Sequence, residues 1–139
     1  MTQVKVDERL STSLPVPSQE VLTGLGAFAD TFASPWFRFG RWEIAGFANS
    51  PAANDFVQFC YDNGLVLQEF DWPVWMKTDT AQMFRSPDAI RSGADALQLA
   101  QLLTVAIRQN RFVEGGLNSW YESGLLQAIF ERAMVLRSA

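Results

Sequence analysis

A long apolar segment between residues 95 and 109 places the strongest constraint on the fold. Its apolar residues recur at the spacing of one broad helical face: Leu97, Leu99, Leu102, Leu103, Ala106 and Ile107. A helix on the surface of a protein keeps a wide polar face, which this segment lacks. We therefore predict a central helix, starting near Asp95, that the rest of the chain surrounds.

Shorter segments with helical spacing occur on both sides of this central helix. Residues near positions 18, 50, 86, 114 and 125 carry the caps, prolines or glycines that mark helix starts. The pattern predicts a mainly α-helical single domain over residues 18–139, a bundle of about five or six helices. A small two-stranded β element formed by residues 37–44 and 65–70 is also predicted. Residues 1–17 are polar and end in prolines, which indicates a flexible N-terminal arm.

Histidine is absent from the chain, and Cys60 is its single cysteine. These counts remove Ser-His-Asp and Cys-His catalysis and most zinc sites, because each needs histidine or several cysteines. We therefore expect no metal, no cofactor and no internal disulfide. Cys60 falls on the apolar stripe of a predicted helix, which indicates an inert, buried thiol.

The N-terminal segment MTQVKVDERLSTSLPVP lacks the apolar stretch of a secretory signal. No apolar run reaches the roughly 20 residues that a membrane-spanning helix needs. Together with the single cysteine, these features predict a cytoplasmic protein that does not enter a membrane.

Acidic residues outnumber basic ones by 15 to 11, which gives a net charge of −4. Direct binding to nucleic acid depends on a basic surface, so this balance disfavours it. It favours a protein partner with a basic surface, including a protein in a nucleoprotein complex.

The segment SPWFRFGRW, residues 34–42, interleaves arginines with aromatic residues. Such a composition suits a nucleic-acid stacking groove, a protein-protein hot spot or a corner of the core. Trp36, Phe37 and Arg38 directly follow the helix-ending Pro35, so we expect them to be the exposed part. The predicted partner-binding residues combine this segment with acidic side chains: Trp36, Phe37, Arg38, Arg41, Trp42, Asp55, Asp62, Asp88, Asp95 and Glu122.

Arg108, Arg111 and Glu114 are spaced three residues apart, so a continuing helix would align them on one face. We predict a structural ion-pair network that joins them to Asp71. A site for an anionic ligand or a partner is the alternative at these positions.

Two other functions stay open. An enzyme could use the carboxylates of Glu69, Asp71 and Glu114 in a hydrolytic pair. A single-stranded nucleic-acid binder could use Arg38, Arg41 and the aromatic residues of segment 36–42.

Residues 39–136 resemble a bacterial family of unknown function. The shared segments have the forms RFG-x-W, FDW-x-x-W, R-x-[DN]-RF-C-E-G and E-S-G-x-[IL]-x-A-I-x-x-R. Here they occur as RFGRW, FDWPVW, RQNRFVEG and ESGLLQAIFER, starting at Arg38, Phe70, Arg108 and Glu122. Val113 replaces the cysteine of this pattern, so any chemistry of that cysteine is lost here.

In size, acidity and lack of a catalytic set, the chain is similar in type to small anti-CRISPR inhibitors encoded by phages and plasmids. That resemblance implies a non-enzymatic inhibitor or modulator. Its acidic side chains would face the basic groove of a protein that handles nucleic acid, and its aromatic side chains would anchor the contact.

Overall fold

The computed structural model describes residues 14–138. Its helices are Gln19–Gly26 (α1), Phe28–Ala33 (α2), Pro51–Asp62 (α3), Trp72–Trp75 (α4), Asp79–Met83 (α5), Pro87–Gly93 (α6), Ala96–Gln109 (α7), Gly116–Glu122 (α8) and Leu125–Leu136 (α9). Its two strands, Gly40–Glu43 (β1) and Gly46–Asn49 (β2), pair antiparallel. The predicted mainly α-helical class with a small β element is confirmed. The arm predicted over residues 1–17 lies outside the described residues up to position 13.

Helix α7 is the centre of the fold, as its apolar pattern predicts. Every residue from Leu99 to Ile107 is buried. The helix begins with a capping box, in which the backbone N–H of Gln98 donates to Asp95 Oδ1 at 2.7 Å. The Asp95 N–H donates in return to Gln98 Oε1 at 2.8 Å. This reciprocal pair satisfies two donors that the first turn would leave unpaired.

The segment Leu65–Leu67 lies against α7 and is not a strand, so the predicted pairing of residues 37–44 with 65–70 is wrong. The N–H of Leu67 donates to Thr104 Oγ1 at 2.9 Å. The Thr104 hydroxyl can donate to the carbonyl of Leu65 at 3.1 Å or of Ala100 at 2.8 Å. The backbone of Leu65 and Leu67 therefore bonds to the Thr104 side chain and not to a neighbouring strand, because both residues are buried against α7.

Phenylalanine rings join the first helices to α3 and α9. The rings of Phe32 and Phe130 meet edge to face, with centroids 5.0 Å apart. Phe56 on α3 meets Phe130 at 5.3 Å. The first predicted helix is divided at Ala27 into α1 and α2, which places Phe32 next to the start of the hairpin.

In the part of the chain that the structure describes, no helix is long and apolar enough to cross a membrane.

Replacing Thr104 with valine tests the contact between Leu67 and α7. Valine has nearly the shape of threonine but leaves the buried Leu67 N–H without an acceptor. We expect the Thr104→Val change to lower the free energy of unfolding by about 1–3 kcal/mol, measured by urea denaturation. Thr104→Ser is the matched control, because it keeps the hydroxyl and removes one methyl group, at about 0.8 kcal/mol. A Thr104→Val protein as stable as the parent would contradict the assignment.

Cys60 is fully buried, and burial raises the pKa of its thiol. Because only the thiolate attacks alkylating reagents, we expect iodoacetamide to modify native Cys60 at least about 100-fold more slowly than a free thiol. The rate, followed by mass spectrometry, should rise to the free-thiol value in denaturant. Rapid alkylation of the native protein would show that α3 opens readily.

Candidate functional site

The β1–β2 hairpin projects its side chains on two faces. Strand register pairs Trp42 with Phe47 and Arg41 with Ala48, around a two-residue turn at Ile44 and Ala45. The rings of Trp42 and Phe47 meet edge to face, with centroids 5.3 Å apart. On the opposite face Arg41 donates to the Glu43 carboxylate at 2.9 Å.

The loop after α7 holds the hairpin in place. The backbone N–H of Phe47 donates to Glu114 Oε1 at 2.8 Å. Gly115, with φ +73°, lies beneath the indole of Trp42, and a Cβ there would come within 2.7 Å of the ring. The loop therefore fixes β2 through a carboxylate and Trp42 through close contact with a glycine.

The predicted ion-pair network of Arg108, Arg111, Glu114 and Asp71 does not form. Within residues 14–138 no ion pair joins two of these four side chains. Glu114 binds the hairpin, Arg111 donates to the Tyr61 hydroxyl at 3.2 Å, and Asp71 accepts the N–H of Val74 as the cap of α4. Arg108, Arg111 and Glu114 do not share a helical face, because α7 ends at Gln109.

An open groove of about 290 Å³ runs between β1 and α8, and we call it the hairpin groove. It is lined by Phe37, Arg38, Phe39, Gly40, Arg41, Trp42, Phe47, Asn118, Tyr121 and Glu122. Tyr121 joins the two walls, since its ring stacks on Phe39 with centroids 5.3 Å apart. The groove is thus an aromatic surface with charged side chains at its rim.

The charged side chains of the hairpin groove have different partners. Arg38 donates to the carbonyl of Phe37 at 3.0 Å, so it is turned towards its own backbone. Arg41 is ion-paired with Glu43. Glu122, exposed on α8, accepts from the side-chain amide of Asn118. Within the described residues Glu122 has no basic partner.

Five of the ten predicted partner-binding residues line this groove: Phe37, Arg38, Arg41, Trp42 and Glu122. Trp36 and Arg38 are exposed as expected, Trp36 to 87%. Phe37 differs from the expectation, because it is half-buried and stacks on Phe32 at 4.4 Å. The aromatic cluster below the hairpin therefore takes Phe37 out of the exposed set.

The remaining acidic residues are exposed but are not part of the groove lining. Asp55 and Asp62 lie on α3, where Asp62 accepts from Gln58 at 2.8 Å. Asp88 pairs with Arg91 at 3.2 Å on α6. Asp95 caps α7. Local contacts thus account for Asp88 and Asp95, whereas Asp55 and Asp62 have no basic partner among residues 14–138.

Sequence reasoning missed several exposed or groove-lining side chains. Ile44 stands fully exposed at the hairpin turn, and Phe112 and Val113 are exposed on the loop after α7. Tyr121 and Asn118 form the α8 wall of the groove. Gly46 was the available sequence signal for a turn after β1, whereas nothing local to α8 indicated that it meets β1.

The carboxylates considered for catalysis are separated. Asp71 and Glu114 each accept a backbone N–H. Glu69 lines a cleft with Leu14 and Tyr61, whereas Glu114 lines a different one with Asn110. Among the described residues there is no group of three or more His, Cys, Asp or Glu side chains that could hold a metal ion.

A further cleft of about 260 Å³ is mainly apolar. Its walls include Trp75, Phe84, Val105 and Trp120, with Arg85 at its edge. It contains none of the residues predicted for partner binding, catalysis or ion pairing.

Removing the Glu114 carboxylate tests its role in holding the hairpin. In Glu114→Ala we expect the Phe47 amide to exchange its hydrogen about 10-fold faster, because a hydrogen bond of roughly 1–1.5 kcal/mol is lost. Glu114→Gln retains an acceptor oxygen and should stay close to the parent. Equal exchange rates in the Ala and Gln variants, measured by NMR, would contradict the role of this contact.

Comparison with known proteins identifies a family to which the chain is similar. Residues 17–139 match a family of unknown function, DUF6508. No curated protein and no solved structure gives a significant match to the chain. The resemblance seen in the sequence is therefore confirmed at the level of an unknown-function family, while its individual segments and the likeness to anti-CRISPR inhibitors stay predictions. Because the match extends over nearly the whole chain, the protein belongs to the DUF6508 family.

Proposed function

We propose that this chain is a non-enzymatic protein-binding module and that the hairpin groove is its main contact surface. The observation that carries the proposal is the gathering of Arg38, Trp42, Tyr121 and Glu122 around one open groove. Tryptophan, tyrosine and arginine dominate the energetics of protein-protein contacts. All three types are present here on α8 and the hairpin.

Exposure of the tryptophans supports this proposal. Trp42 is 62% exposed and Trp36 is 87% exposed, although each ring could bury a large apolar area. The two sites are not disordered ends: Trp42 is held over Gly115, and the Trp36 N–H donates to Ser34 Oγ at 3.3 Å. An exposed indole ring that is held in place, as that of Trp42 is, is suited to fill a pocket on a partner.

The charge balance supports a partner with a basic surface. The chain carries a net charge of −4, and Asp55, Asp62 and Glu122 are exposed carboxylates. A protein that grips nucleic acid has such a basic surface, so inhibition or modulation of a nucleoprotein complex is the role we propose. An anti-CRISPR or anti-defence activity in the cytoplasm is the specific form of this role that the sequence type favours.

The contacts that Arg38 and Arg41 already make favour a protein as the partner over single-stranded nucleic acid. Arg41 is ion-paired with Glu43, and Arg38 is turned to the carbonyl of Phe37. Binding of a phosphate backbone would need free cations, and Glu122 would repel it at the same groove. The single-stranded nucleic-acid alternative predicts a gel shift that Arg38→Ala with Arg41→Ala abolishes, and this assay separates the two functions.

Affinity capture from lysate of the native cell tests the proposal. The Trp42→Ala protein should lose a specific partner, because truncating a central aromatic residue weakens binding by about 30-fold. Met83→Ala is the matched control, since Met83 is an exposed apolar residue on α5. The captured protein should bind more weakly as salt is raised. Recovery of no specific protein, or equal recovery with Trp42→Ala and the parent, would overturn the proposed function.

A further inference from the structure

We propose that the outer edge of β1 accepts an extended segment of the partner protein, which adds to the hairpin as a third strand. In this arrangement a lysine or arginine of that segment enters the hairpin groove and meets Glu122. The inference rests on the proposed function and specifies how the partner is held.

Two hydrogen bonds establish which backbone groups of the hairpin face outwards. The N–H of Ser50 donates to the carbonyl of Phe39 at 2.8 Å, so this pair is joined across the hairpin. The N–H of Phe47 points the other way and donates to Glu114. Hydrogen-bonded and non-hydrogen-bonded pairs alternate along an antiparallel ladder. The register of Gly40 with Asn49 and Trp42 with Phe47 therefore makes these the non-bonded pairs.

It follows that the N–H and C=O groups of Gly40 and Trp42 point away from β2. On the β2 side, Glu114 already takes the outward N–H of Phe47. On the β1 side, no residue within 14–138 forms a hydrogen bond to the outward groups of Gly40 or Trp42. The outer edges of β1 and β2 therefore differ, and the outer edge of β1 is the one that can pair with another strand.

Space for alternating side chains lies on both sides of this edge. An added strand directs successive side chains to opposite faces of the sheet. One face leads into the hairpin groove, between Trp42 and Tyr121. The other leads into an open cleft of about 570 Å³, whose lining includes Arg41, Ala48 and Pro51.

The charges in the hairpin groove identify the side chain that it suits. Arg41 is ion-paired with Glu43, and Arg38 keeps its charge but is turned to the carbonyl of Phe37. Glu122 has no basic partner within residues 14–138 and receives an amide N–H from Asn118. The aromatic residues Trp42 and Tyr121 line the same groove as this carboxylate. A carboxylate beside aromatic rings favours a cation, through an ion pair and cation–π contact. The net charge of −4 of the whole chain also attracts a basic segment.

A phage-displayed library of random peptides of about ten residues, selected on the full chain, provides the probe. We expect enriched peptides to contain a lysine or arginine, and Glu122→Gln to weaken their binding about 5- to 10-fold. Trp42→Pro removes an outward N–H that the hairpin itself does not use, so the hairpin should tolerate it. It should bind these peptides about 10-fold more weakly than Trp42→Ala, which lacks the ring but keeps the N–H.

Amide exchange of the unmodified protein gives a readout that does not depend on a variant folding. With a selected peptide bound, the Gly40 and Trp42 amides should become protected, while Arg41, already paired across the hairpin, should change little. Binding without this protection would overturn strand addition and leave the proposed function standing, provided that the cellular partner is still captured through Trp42.

Other results would overturn the proposed occupant of the β1 edge or the proposed function. Failure of the library to yield a binder, or enrichment of peptides without basic residues, would overturn the proposed occupant. A stable dimer in sedimentation that protects the Gly40 and Trp42 amides would assign the edge to a second copy of this chain instead. Absence of any captured cellular protein would overturn the proposed function itself, which separates the two failures.

Discussion

The complete burial of α7 between Leu99 and Ile107 is the constraint on which the rest of the structure depends. A helix that is buried on every side needs cover from several directions, and short helices and loops provide it. Burial also places Thr104 where its hydroxyl must find partners, and the backbone of Leu65 and Leu67 supplies them. The same hydrogen bonds explain why this connection needs no strand.

The hairpin lies outside that buried centre and is held by a small number of contacts. Below it, Phe37 and Phe39 join the aromatic cluster around Phe32. Beside it, Glu114 and Gly115 hold β2 and Trp42. This arrangement leaves β1 and Trp42 facing solvent on a supported base.

The parts of the fold that were predictable from sequence are those governed by local spacing. The apolar face of α7 and the caps at Ser18 and Ser50 depend on neighbours a few residues away, and the structure confirms them. The ion-pair prediction for Arg108, Arg111 and Glu114 is wrong because α7 ends at Gln109, so Arg111 and Glu114 lie in the turns that follow and do not continue its face.

The candidate site was predictable only in part. Arg38, Arg41 and Trp42 stand out in the sequence because charges and aromatics alternate there. Their meeting with Glu122 depends on how α8 packs against β1, some 80 residues further along the chain, and no local pattern encodes that. The outer edge of β1 was not predictable for a different reason: β1 pairs with the adjacent residues 46–49 and not with the predicted segment 65–70.

Close packing of the Trp42 ring on the backbone at Gly115 has a consequence for the thermodynamics of recognition. An indole that rotates freely in solution loses side-chain entropy when a partner holds it. Here Phe47 and Gly115 already restrict the ring before any encounter, so little further ordering is required of it. In the proposed binding role Gly115 is therefore a preorganising residue: a larger side chain at this position would release Trp42 and weaken binding, even though residue 115 itself is buried.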